Sequence, residues 1–60
     1  MLTSLIMQSI TGKPLGEVFE TVDGFGFEHI ASGTIVEGFD TFTEARDEFM
    51  ACHNTWFDSL

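Results

Sequence analysis

The chain has one cysteine, one proline, no tyrosine and two basic residues in 60 positions. The lone Cys52 excludes an intrachain disulfide. The two bases, Lys13 and Arg46, are too few for the aromatic platforms that bind nucleic acid, which come with many Lys and Arg. Ten acids oppose them, for a formal charge of −8, so phosphates and anionic membranes repel this surface. No run approaches the roughly 18 apolar residues of a membrane span. Residues 1–10 lack the basic start and long apolar stretch of a secretion signal. A free thiol without an export signal predicts a cytoplasmic protein. The initial Met and the length predict a complete small product, one domain over 1–60.

What is present points to a folded chain. Hydrophobic residues make up 43% of it and seven are Phe, too many for a disordered acidic tail. A domain this small buries only about 60% of its unfolded surface. With no disulfide, its core must suffice alone or be completed by a partner or a second copy.

Residues 2–10 alternate loosely and predict a strand, and "TGKPLG" over 11–16 predicts a turn. Asp23-Gly24, between two β-rich runs, predicts a two-residue type I′ hairpin. That turn would set Val22 opposite Phe25, Glu20 opposite Phe27 and Val18 opposite His29. Ser32-Gly33 predicts a second tight turn, pairing Ile30 with Ile35 and Glu28 with Glu37. One face would then hold Val18, Val22, Phe25, Phe27 and Val36 with His29 and Glu20. The other would hold Glu17, Glu28 and Glu37 with Phe19, Ile30, Ile35 and Phe39.

Thr41 and Glu44 are spaced for a helix capping box. Beyond them Phe42, Ala45, Phe49, Cys52, Trp56 and Phe57 recur at steps of three or four. The helix is expected to fray after His53 or to run to about Phe57. The expected fold is α+β: a three- or four-stranded antiparallel meander with one C-terminal amphipathic helix packed on one face.

Candidate chemistry is thin. Cys52, His53 and His29 lack zinc-binding spacings, and Cys52 lies on the apolar stripe, where it acts as a small hydrophobe. His29 falls on the inner face and is expected to be a satisfied polar group rather than a base. Glu28 and Glu37 could share a proton as a catalytic dyad does, but opposed carboxylates in a sheet are ordinarily just exposed. "DGFGFE" lacks the third glycine and the following helix of a phosphate loop. No catalytic, cofactor-binding or metal-binding residue is expected, and no enzyme activity.

The uniform charge remains. One helix covers one sheet face, so an apolar patch rimmed by acids should stay open, as interaction surfaces do. Asp40, Glu44, Asp47 and Glu48 crowd the helix start, where the macrodipole favours them. The expected partner-binding residues are Glu17, Phe19, Glu28, Glu37, Phe39, Asp40, Glu44, Asp47 and Glu48. The expected function is that of a small acidic inhibitor from a phage or other mobile element, working in the host cytoplasm. Its partner would be a basic host protein that handles nucleic acid, such as a nuclease, repair enzyme, polymerase or CRISPR complex. It would act by imitating DNA or by steric block, without touching nucleic acid or membrane itself.

The segment from Val36 to Phe49, with Thr41, Glu44 and Ala45, resembles the three-strands-then-helix start of the HicB antitoxin family. That family's Pro-Gly-Cys turn is missing here. A homo-oligomeric, antitoxin-like regulatory or protein-interaction module is the alternative expectation, pairing through the open sheet face as a possible homodimer.

Overall fold

Four strands precede one helix: β1 (Ser4–Gln8), β2 (Pro14–Thr21), β3 (Gly24–His29), β4 (Thr34–Phe39) and α1 (Phe42–Asp58). This is the arrangement of the computed structural model, which describes residues 2–60. The strands form one antiparallel meander in the order β1-β2-β3-β4. The helix packs on one face of it, mainly against β3. The fold is therefore the α+β sheet-and-helix architecture expected from the sequence.

The registers differ from expectation by two residues in both hairpins. β2 and β3 pair Thr21 with Gly24, Glu20 with Phe25, Val18 with Phe27 and Gly16 with His29. The loop is therefore Val22-Asp23, not Asp23-Gly24. Among the described residues none other than glycine has a positive φ, so the turn is not type I′, which needs φ > 0 at both central positions. Thr21 draws the turn forward, because its hydroxyl accepts the Asp23 N–H at 3.3 Å. Val22, expected on the inner face, stands in the loop and is 90% exposed.

The second connection is a four-residue turn, Ile30–Gly33, closed by the Gly33 N–H on the His29 carbonyl at 2.9 Å. It pairs His29 with Thr34, Glu28 with Ile35 and Phe27 with Val36. Ile30 consequently lies in the turn and not on a sheet face. A slip of two preserves the face of every strand residue, whereas a slip of one would reverse it.

One residue does change face. The β3–β4 register shifts between Phe25 and Gly26, so that Phe25 pairs with Phe39 and Gly26 with Glu37. Gly38 is the extra residue, at φ 96°, a backbone state that glycine adopts without strain. The bulge turns Phe39 to the helix side. There it stacks on Phe27, with ring centroids 5.9 Å apart.

The core is small. Val18, Phe27, Ala45 and Phe49 are buried, with Met7, Leu15, Phe25, Phe39, Phe42 and Cys52 half-buried around them. Val18 and Phe27 sit side by side in the observed register, so both meet α1. Gly16 is buried because the Phe49 ring occupies the space of its missing side chain: a Cβ there would lie 2.6 Å from that ring. β2 begins at Pro14. The expected turn over 11–16 contracts to a bend over 9–13, in which the Ser9 N–H meets the Lys13 carbonyl at 2.8 Å.

Thr41 caps α1 as expected. Its hydroxyl oxygen accepts the Glu44 N–H at 3.1 Å. The Glu44 carboxylate accepts from that hydroxyl at 3.4 Å rather than from the Thr41 N–H, so only half of the capping box forms. The apolar stripe holds through Trp56, while Phe57 is 61% exposed.

Candidate functional site

The uncovered sheet face is built by strand parity. Ile6, Glu17, Glu28 and Ile35 are register partners across all four strands, and Ser4, Phe19, Gly26 and Glu37 form the next row. At about 4.8 Å per strand, Ile6 and Ile35 stand about 14 Å apart with two carboxylates between them. β1 extends the sheet at the free edge of β2 and leaves this face open. Ile6 and Ile35 are 57% and 60% exposed. Gly26 is a shallow floor, because the Phe19 ring and the Glu37 side chain both lean over it. A Cβ on Gly26 would lie 3.0 Å from each.

Of the expected partner-binding residues, Glu17, Phe19, Glu28 and Glu37 come together on this face. Asp40, Glu44, Asp47 and Glu48 lie exposed at and along the first half of α1, on the opposite side of the sheet. Phe39 does not belong with either group, since the Gly38 bulge puts it against the core. The other eight residues therefore form two acidic surfaces back to back. Ile6 joins the open face, and sequence reasoning missed it. The alternation of Ser4, Ile6 and Gln8 in β1 was the available signal.

The charge is scarcely compensated. Among the described residues the one ion pair is Arg46 with Asp47, at 3.4 Å and exposed to solvent. Such a pair contributes little to stability. Glu17, Glu28 and Glu37 have no base on their face.

The second place with chemical character is His29. It is fully buried, as expected of a satisfied inner polar group. Its Nε2 lies 3.0 Å from His53 Nδ1 and its Nδ1 lies 2.8 Å from Ser32 Oγ. Burial, and then the charge that His53 would carry, hold the His29 pKa below its ordinary value. Cys52 packs against the core, as expected of a small hydrophobe on the apolar stripe. No cluster of three or more His, Cys, Asp or Glu side chains that could hold a metal ion occurs among the described residues. Among the described residues no helix is long and apolar enough to cross a membrane.

No family model, no curated protein and no solved structure matches this chain.

Proposed function

We propose that the protein is a small acidic inhibitor, from a phage or other mobile element, that occupies the basic nucleic-acid-binding surface of another protein. The observation that carries this reading is the open sheet face. It joins the exposed side chains of Ile6 and Ile35 and the half-buried Phe19 to three carboxylates without an ion-pair partner, Glu17, Glu28 and Glu37. Binding energy concentrates in a few apolar anchors, and one-signed charge around them selects a partner of opposite sign. The acids of α1 lie behind the sheet and act at longer range, raising the rate of encounter with a basic surface.

The test uses purified basic partners: nucleases, repair enzymes and polymerases, with duplex DNA as competitor. Binding should be displaced by duplex and weakened between 0.05 and 0.3 M salt, since exposed charges are screened beyond about 8–10 Å at ~0.1–0.15 M. The triple variant Glu17→Gln, Glu28→Gln, Glu37→Gln should bind at least about tenfold more weakly while keeping its fold. Binding that DNA does not displace, or that the triple variant retains, defeats the proposal.

A further inference from the structure

The two nitrogens of His29 fix the proton positions of a short polar chain. The Ser32 backbone N–H points at Nδ1 at 3.3 Å. An amide N–H can only donate, so Nδ1 is an acceptor and the proton of a neutral ring sits on Nε2. From there it is donated to His53 Nδ1 at 3.0 Å. Ser32 Oγ, 2.8 Å from His29 Nδ1, also lies 2.8 Å from Thr34 Oγ1. The chain closes with both rings neutral. One added proton, whichever ring carries the charge, places an N–H on His29 Nδ1, which must then be directed at Ser32 Oγ and lose the Ser32 amide. A second added proton sets N–H against N–H and two cations about 3 Å apart.

Nothing nearby welcomes that charge. The groups around His29 are Phe49, His53 and Trp56 from α1 and Ser32 and Thr34 from the turn and β4, with Lys13, from the bend before β2, lining the same cleft. Lys13 is the one permanently charged side chain among them. It lines the same cleft of about 290 Å³ as both histidines and Trp56. Glu17 and Glu28, the nearest carboxylates in the register, point to the opposite face of the sheet.

The pair also sits where α1 is held least firmly. The buried helix residues, Ala45 and Phe49, both lie in its first half. Beyond Phe49 the helix meets the sheet through half-buried Cys52, His53 and Trp56.

We propose that the His29–His53 pair is an acid-sensitive clasp: when it takes up protons, the C-terminal half of α1 undocks from β3. Undocking uncovers the helix side of Phe27, Val36 and Phe39, which now form a groove with Cys52 and Trp56. The clasp is independent of the open sheet face. It also runs against the charge of the whole molecule. Acid lowers a net charge of −8 and so relieves self-repulsion, which by itself favours the compact state.

Trp56, the single tryptophan, lies 5.4 Å from the His29 ring and 5.7 Å from the His53 ring and reports on the pair. The full chain is titrated from pH 8 to 5, above the range of ordinary carboxylates at roughly 4. Trp56 emission and amide exchange, corrected for intrinsic rates, are followed together. Protection over 50–58 should fall at least about tenfold at the acid end, an opening equilibrium of the local kind, while β2 and β3 amides stay protected. His53→Gln, which carries no proton in this range, should abolish the transition. Lys13→Gln removes a cation that repels the protonated, docked pair, so the docked state tolerates acid better and the midpoint should move to lower pH. The clasp is refuted if 50–58 stay protected at pH 5 or if the sheet opens together with the helix. It is equally refuted if the midpoint ignores Lys13→Gln or survives unchanged in a folded His53→Gln.

Discussion

The Phe27 ring meets the Phe49 ring edge to face, with centroids 5.8 Å apart and planes at 87°. This contact joins β3 to α1 at the centre of the core cluster. Offset and T-shaped aromatic pairs add about 0.5–1.5 kcal/mol beyond their buried area. Phe49→Ala should cost about 3–5 kcal/mol, a large part of the total for so small a domain. Phe49→Leu, which keeps most of the volume, should cost far less. Urea unfolding followed by circular dichroism measures both. An unchanged midpoint in Phe49→Ala would remove Phe49 from the core.

Gly16 and Gly12 should respond oppositely to alanine. At Gly16 the new methyl would overlap the Glu28 carbonyl oxygen and press on the Phe49 ring. A clash against backbone cannot relax through a rotamer change, so a loss of about 3 kcal/mol or more is expected. At Gly12 nothing lies within 4 Å. The only cost there is placing alanine at φ 87°, about 1 kcal/mol. Equal losses in the two variants would refute the close packing of Gly16 under α1.

Thr41→Ala removes the oxygen that receives the Glu44 N–H. A loss of about 1 kcal/mol is expected, together with faster exchange at the first helical amides. Thr41→Asp should restore most of it, because aspartate caps equally well and its charge suits a helix N-terminus.

Stability should fall with acid through His29 before the carboxylates titrate. His29 has its pKa lowered in the fold, by burial and then by His53. Below the unfolded value of about 6.5 the unfolded chain therefore binds more protons than the folded one. The stabilisation is complete above about pH 6.5 and is lost as pH falls from there towards the folded value. Urea midpoints at pH 7.5 and 5.5 test the sign. A midpoint that rises or stays constant would contradict it.

The open face is expected to leave the protein monomeric. Two copies pressed face to face would oppose Glu17, Glu28 and Glu37 with like charges and no bases between them, which is destabilising. Sedimentation at ~100 µM, well above a micromolar-class dissociation constant, should give a single species of 6.7 kDa. A dimer that Phe19→Glu dissolves would instead establish the homo-oligomeric reading.

The order of elements and the two faces of the sheet were legible in the sequence because alternation and helical spacing are local. Val18, Phe25, Phe27, Ala45 and Phe49 follow from those periods alone. The registers were less legible, because the hydroxyl of Thr21 and the fit of Gly16 under Phe49 outweighed the Asp23-Gly24 turn signal. Phe39 was misplaced because a bulge at Gly38 adds one residue, and one residue reverses a face. The two acidic surfaces were legible as residues but not as separate places, since only the third dimension puts the sheet between Glu28 and Glu44. The His29–His53 bond links residues 24 positions apart. It could have been found by combining two periods: His29 follows Phe27 by two on the inner face, and His53 follows Phe49 by one helical turn.

A sheet with a helix on one side only divides the chain into positions that must agree with one another and positions that need not. The side chains of Ile6, Glu17, Glu28, Ile35 and Glu37 lie on the sheet face away from the core cluster, so they are free to drift without unfolding the molecule. Selection could rewrite that surface for a new target within a few substitutions while the back of the sheet stayed constant. For an engineer, the same five positions form a ready randomisation site: a library there would explore recognition without spending the scant stability of a 60-residue domain.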